Sequence, residues 1–159
     1  MILKPSIGST YEALRDAAVQ TPLQTCVEDE TRALTFEALK KETDCLASYL
    51  HMRGFVRRGE CAGILLLPST VFYAAYYAIA KIGANCMTLN TALPGEEIKR
   101  QFSACHMTCL FTDARWGTKL YKAYDHTALR AIISYGDDVP VGFLSYDLCM
   151  ENRTETATS

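Results

Sequence analysis

A Cys-His-x-x-Cys run, three histidines and two adjacent aspartates are the residues here whose types could do chemistry at close spacing. Cys105-His106-x-x-Cys109 offers soft donors of the kind zinc takes, but a zinc site needs a further ligand pair, and none follows nearby. The run also straddles a predicted helix end and strand start. Asp137 and Asp138 follow Gly136 in a turn, where neighbouring carboxylates diverge, which does not suit a two-carboxylate acid–base mechanism. His51, His106 and His126 each end or follow a predicted helix, where a cationic ring suits the dipole without any catalytic part.

Nucleophile and phosphate chemistry find no better footing. The serines lack a Gly-x-Ser-x-Gly elbow. Of the nine glycines, Gly54 and Gly59 have the glycine spacing of a P-loop, but Glu60-Cys61 stands where Lys-Ser/Thr would have to reach phosphate and magnesium. There is no G-x-G-x-x-G. Catalytic, cofactor-binding and metal-binding residues are therefore each expected to be none within these 159 residues.

The elements that would position a site are easier to read. Cys61 to Leu67 is apolar on both alternating faces and is stopped by Pro68, as in a strand buried between layers. Ser69 can cap a helix over Thr70 to Ile82, and Gly83 can take the left-handed conformation that ends it. A second strand follows at Asn85 to Leu89, so the unit reads as a right-handed parallel crossover. On a helical wheel Thr70–Ile82 is apolar nearly all round, with only the stripe ending at Lys81 wet. Such a helix is expected to need cover from a larger body than one sheet and one helix layer.

Upstream, residues 10–21 suit an amphipathic helix stopped before Pro22. Gln24 to Glu28 and Ala33 to Thr35 read as strands around the polar turn Asp29 to Arg32. Phe36, Leu39, Thr43, Leu46 and Leu50 recur at helical spacing, with Gly54 just past the end. Downstream, Pro94, Glu96 and Glu97 open a helix whose face is Ile98, Phe102 and Cys105. Strands at 109–112 and 131–134, a short helix near Trp116 to Tyr124 and a helix start at Ser145 to Leu148 complete the pattern. The fold class is α/β, a doubly wound, mostly parallel sheet with flanking helices. Residues 1–148 read as one subdomain and 149–159 as a disordered polar tail.

Composition narrows the partners. The formal charge is −2 with pI near 5.9, so there is no basic field for nucleic acid or an anionic membrane surface. No apolar run has the roughly twenty residues a transmembrane segment needs, and Met1 to Thr10 is too polar for a signal peptide. A cytoplasmic or peroxisomal setting is expected, although Ala157-Thr158-Ser159 is not a peroxisomal tail. Seven scattered cysteines read as reduced thiols.

Leu34-Thr35-Phe36-Glu37-Ala38-Leu39 and Ala80-Lys81-Ile82-Gly83-Ala84, with the strand to Leu89-Asn90, resemble elements of the adenylate-forming (AMP-binding) enzymes. These are the acyl-CoA synthetases, 4-coumarate–CoA ligases and luciferases. Gly54 to Glu60, Leu67-Pro68-Ser69-Thr70, Pro94 to Ile98 and Leu110 to Asp113 add four more matches in the family's order. The likeness covers about Ala33 to Leu148. Ser69 stands for the family's usual Asn, and Asn85 puts an amide in an apolar strand.

The resemblance implies an enzyme that activates a fatty or aryl acid with ATP and magnesium to an acyl-adenylate and then forms a CoA thioester. The family's phosphate loop, magnesium ligand, ribose-binding Asp and catalytic lysine lie later than any position here. The resemblance therefore implies a truncated acyl-CoA-synthetase-like protein, inactive alone and binding none of ATP, magnesium and CoA by itself. The remaining sequence is expected to cover the Thr70–Ile82 helix. The alternative is a non-catalytic module that self-associates, or pairs with a full-length relative, through exposed apolar surface. An independent nucleotide- or flavin-binding domain is a third reading.

Overall fold

In the computed structural model, which describes residues 2–3, 9–116, 120 and 129–157, the buried strand–helix–strand unit forms the middle of the molecule. Strand β1 (Ile2–Leu3) and helix α1 (Ser9–Gln20) precede a hairpin of β2 (Thr25–Glu28) and β3 (Ala33–Thr35). Helix α2 (Phe36–Arg53) leads to β4 (Cys61–Ile64), α3 (Thr70–Ile82), β5 (Asn85–Thr88), α4 (Gly95–Cys105) and β6 (Met107–Asp113). A 3-10 turn at Ala114–Trp116, β7 (Ala131–Tyr135), β8 (Leu144–Ser145) and α5 (Tyr146–Ala157) follow. The main sheet has the order β1-β5-β4-β6-β7-β8, parallel from β5 to β8, with β1 added antiparallel on the outside of β5.

Local chemistry sets the ends of the elements. Ser69 Oγ accepts the Phe72 N–H at 3.2 Å and starts α3, and Gly83 at φ 84° closes it. Thr35 caps α2 in the same way, and Gly54 at φ 68° ends it. All four residues of β4 are buried, as a strand covered on both faces requires. The Leu65 N–H still meets the Phe111 carbonyl of β6 at 2.8 Å, one residue past the end of β4, and Pro68 follows. Asn85 is exposed, and its amide reaches the Gly59 carbonyl at 3.4 Å, which explains a polar residue opening β5.

One irregularity organises the core. Cys61 pairs with Met107 but Ala62 pairs with Cys109, so Thr108 is an extra residue in β6. This bulge turns Met107 toward the α4 face of the sheet, where its thioether lies over Gly63. The α2, α3 and α5 face is filled by Ala62, Ile64, Val71, Ile79, Cys109 and Phe111 among others. The α4 face is filled by Leu65, Ile98, Phe102, Met107 and Leu110.

Two expectations are corrected. The apolar α3 is covered from within the chain: Leu14 of α1, Leu39 of α2, and Cys26, Val27 and Leu34 of the hairpin pack with Ala74 and Tyr77 on its outer side. Tyr73, at 37%, is its exposed large side chain. The wheel read the helix correctly as buried, but the layer that buries it comes from α1, the hairpin and α2 of this same chain. Residues 149–157 belong to α5 rather than to a structureless tail, because Tyr146 and Cys149, one helical turn apart, are 1% and 2% exposed against the core. Most of the helix expected near Trp116 to Tyr124 lies outside the described residues.

Candidate functional site

In a parallel sheet with helices on both faces, ligands bind outside the carboxyl ends of the strands, where the chain departs in opposite directions. Here that place is between β4 and β6. After β4 the chain rises to α3 on one face, whereas Leu120, beyond β6, packs on the α4 face. The segments that leave the two strands at this switch point are Leu65 to Ser69 after β4 and Asp113 to Trp116 after β6. The two are tied together by the Thr112 hydroxyl, which donates to the Leu65 carbonyl at 3.0 Å.

The rim carries one strong polar pair. Asp113, the last residue of β6, accepts the Arg115 backbone N–H at 3.1 Å and its Nε at 3.0 Å. Arg115 Nη2 closes the fork at 2.5 Å. Asp113 is nearly buried, while the Arg115 side chain is 61% exposed and stacks beside the Trp116 ring. The pair is internally neutralised.

The amino terminus of α3, which could hold an anion, is already committed. At the start of α3, Asp29 Oδ2 accepts the Thr70 N–H at 2.7 Å, next to the Ser69 cap. Asp29 Oδ1 accepts the N–H and hydroxyl of Thr31 and the N–H of Arg32. Burial alone would raise the Asp29 pKa, but the hydrogen bonds from Thr70 and Thr31 outweigh it and hold the carboxyl well below the usual carboxylate range. Arg32 completes the clamp, with Nε on the Thr70 hydroxyl at 2.9 Å and its fork on Glu42 at 2.8 and 2.9 Å. A carboxylate of this chain thus occupies the position where a phosphate would meet a helix N-terminus. At α4 the cap is Pro94, with no side-chain cap bond, and Glu96 and Glu97 put negative charge in the first turn.

At the opposite end of the sheet, an open groove of about 580 Å³ is lined by His51, Arg57, Arg58 and Lys81 with Ala47, Ser48 and Ile82. The carbonyl ends of α2 and α3 meet here, so the cations answer helix dipoles. Lys81 donates to Asp44 at 2.7 Å and lies 4.8 Å from the Tyr11 ring centre. Asp44 also accepts Lys40 at 2.8 Å and the Tyr11 hydroxyl. Its burial raises the carboxyl pKa, but these donors bring it below its ordinary value. The lysine of the Lys-Ile-Gly-Ala match is therefore a tether between α3 and α2.

The residues singled out for chemistry do not converge. Cys109 is buried on the α2 and α3 face, whereas Cys105 packs on the α4 face and its sulfur lies 3.1 Å from that of Cys61. His51 is in the last turn of α2, and His106 caps α4 in the left-handed conformation at φ 52°. His126 lies outside the described residues. Asp137 lines a separate hollow of about 440 Å³ beside the β7–β8 turn. Among the described residues no group of three or more His, Cys, Asp or Glu could hold a metal. Sequence reasoning missed Asp29 as the partner of α3. The Asp-x-Thr-Arg turn was legible, but nothing local points 41 residues ahead to Thr70.

Comparison with known proteins matches a model described as AMP-binding enzyme over residues 14–157. The 2-succinylbenzoate–CoA ligase of Bacillus thuringiensis subsp. konkukian is 29% identical over 70% of this chain and 23% of its own length. The indoleacetate–CoA ligase of Aromatoleum aromaticum is 28% identical over 82% of this chain and 25% of its own. In fold, the chain is similar to the anthranilate CoA ligase AuaEII solved with anthranoyl-AMP, with TM-score 0.85 and 22% identity over 93% of this chain and 29% of that one. The chain spans about a quarter of the length of the curated relatives it matches.

Proposed function

The chain belongs to the AMP-binding enzyme family, and from that premise we propose that it is the amino-terminal scaffold of a carboxylic acid–CoA ligase, without adenylating activity of its own. In the reaction the resemblance implies, a fatty or aryl carboxylate attacks ATP held with magnesium, pyrophosphate leaves, and the thiol of CoA then displaces AMP. This chain would contribute the sheet, the segments that leave β4 and β6, and the tethered α3. Catalytic, cofactor-binding and metal residues are, in this reading, supplied by none of its positions.

The observation that carries the reading is the Asp29 carboxylate on the Thr70 N–H, in a sequence with no glycine-rich phosphate loop. The α3 terminus is built to be held by its own chain and to support other segments. Pyrophosphate exchange tests it, using the purified chain with magnesium, ATP and a panel of benzoate, anthranilate, indoleacetate, 2-succinylbenzoate and fatty acids. Exchange at the level of a protein-free blank is expected. Exchange that depends on one acid and on protein concentration would overturn the reading.

A second reading is a non-catalytic module that pairs with itself or with a full-length relative. It is favoured by Leu67, Val141 and Leu148, which are 47%, 88% and 57% exposed. Light scattering alone and with a full-length ligase separates the two: a monomer that leaves the ligase unchanged counts against pairing. A cytoplasmic or peroxisomal setting belongs to the same proposal and is tested by fractionating cells that express the tagged chain. Among the described residues, no helix is long and apolar enough to cross a membrane.

A further inference from the structure

Cys61 opens β4 and Cys105 ends α4, 44 residues apart in sequence, and their sulfur atoms lie 3.1 Å from each other. That is about 1 Å beyond a bonded disulfide. No third His, Cys, Asp or Glu joins them in a metal-ligating group among the described residues, so the pair has the composition of a dithiol. The two differ in access: Cys61 is 8% exposed, and Cys105 is partly exposed at a helix end. Cys105 sits in the last turn of a helix whose buried anchors are Phe102 and Ile98, one and two turns back.

We propose that Cys61 and Cys105 form a reversible disulfide, an oxidation site that latches α4 to the centre of the sheet. A hydroperoxide reaches the more exposed sulfur first. The Cys105 thiolate takes the outer oxygen, the O–O bond breaks, and the alcohol or water leaves, giving a sulfenic acid. Cys61 sulfur then attacks Cys105 sulfur, the S–O bond breaks, and the Cys61 proton departs with the hydroxyl as water. In sum, two thiols and one hydroperoxide give one disulfide, one water and one alcohol. A dithiol reductant returns both thiols and is itself oxidised to its disulfide.

Geometry favours the second step. The attacking sulfur is already in contact, so the reaction is effectively unimolecular. Burial pushes the Cys61 thiol pKa up, so Cys61 resists direct oxidation, and its 3.1 Å contact with Cys105 makes it the resolving partner. Cys109, only four residues from Cys105, sits on the other face of the sheet and cannot substitute for Cys61. The latch is independent of the ligase reading.

The test is oxidation of the full chain with hydrogen peroxide, alkylation in denaturant and tryptic mass mapping. The peptide ending at Lys81 and the one ending at Arg115 should appear joined, lighter than their sum by two hydrogens. Because the second peptide holds both Cys105 and Cys109, the mapping is repeated in Cys109→Ser, where the cross-link should persist, and in Cys105→Ser, where it should vanish. The oxidised chain should melt higher by about 5 °C or more, since the bond closes a long loop, and dithiothreitol should reverse the rise. Free Cys61 beside Cys105 sulfinic acid, or a cross-link between other cysteines, overturns the proposal. Should Cys105→Ser fold poorly, Cys61→Ala serves as the second disabling variant, and a cross-link that survives in it is equally fatal.

Discussion

The Asp29 carboxylate receives the backbone N–H of Thr70 at 2.7 Å, so the turn of an amino-terminal hairpin caps the central helix of the sheet. Replacing Asp29 by Asn should weaken this cap, and replacing it by Ala should remove it. Unfolding by urea is expected to lose about 1–2 kcal/mol in Asp29→Ala and less in Asp29→Asn. No change in Asp29→Ala would mean that the contact contributes nothing.

The same contact fixes a pH dependence. Hydrogen bonds hold the Asp29 pKa in the folded chain below its unfolded value, near 3.9 for a free Asp, so the unfolded chain binds the proton more readily. The contribution is therefore fully present above about pH 4 and lost as pH falls through the folded pKa. Asp44 and Glu60, also lowered, lose stability in the same acid window. The difference between the parent and Asp29→Asn isolates Asp29. It should be constant from neutral pH to about pH 5 and shrink below pH 4. A difference that grows on acidification would refute the assignment.

Lys81 and Asp44 tie α3 to α2 at a partly exposed site, with side chains 36% and 22% exposed. A double-mutant cycle with Lys81→Met and Asp44→Asn should give a coupling of about 0.5–1 kcal/mol that declines with added salt. Zero coupling at low salt would leave Lys81 without its structural role.

Gly63 lies under Met107 at the β6 bulge, and a Cβ there would overlap the Met107 thioether. Because Met107 is 1% exposed and hemmed in by the core, Gly63→Ala is expected to cost about 1–3 kcal/mol. Adding Met107→Ala should make the pair less damaging than the sum of the single changes. Strict additivity would show that the two residues do not share the space.

These sites mark where the sequence was legible and where it was not. Ser69 and Gly83 announce both ends of α3 because caps are local, and the apolar run at Cys61 announces a strand buried on both faces. The bulge was unreadable: only the pairing with β4 shows that Thr108 is extra, so the strand was expected to start at Cys109 and instead starts at Met107. The cover of α3 was misplaced for the same reason. Leu14, Val27 and Leu34 each fit a modest amphipathic element, and only the tertiary fold brings them together over Ala74. In the candidate site, Cys105 and Cys109 lie on opposite faces of the sheet, which the helix end between them did not by itself reveal. Nor did it reveal the contact of Cys105 with Cys61.

Helix α5 also runs where polar sequence suggested a tail, because its anchor is the buried Tyr146 rather than its composition. Tyr146→Ala should cost about 3–5 kcal/mol, as for other large buried side chains. An unchanged midpoint in urea would detach α5 from the core.

Calorimetric titration of the purified 159-residue chain with magnesium–ATP tests the central claim most directly. A scaffold whose α3 terminus is filled by Asp29 should show no saturable heat, which corresponds to a Kd weaker than about 1 mM. A saturable one-to-one isotherm in the micromolar range would contradict it.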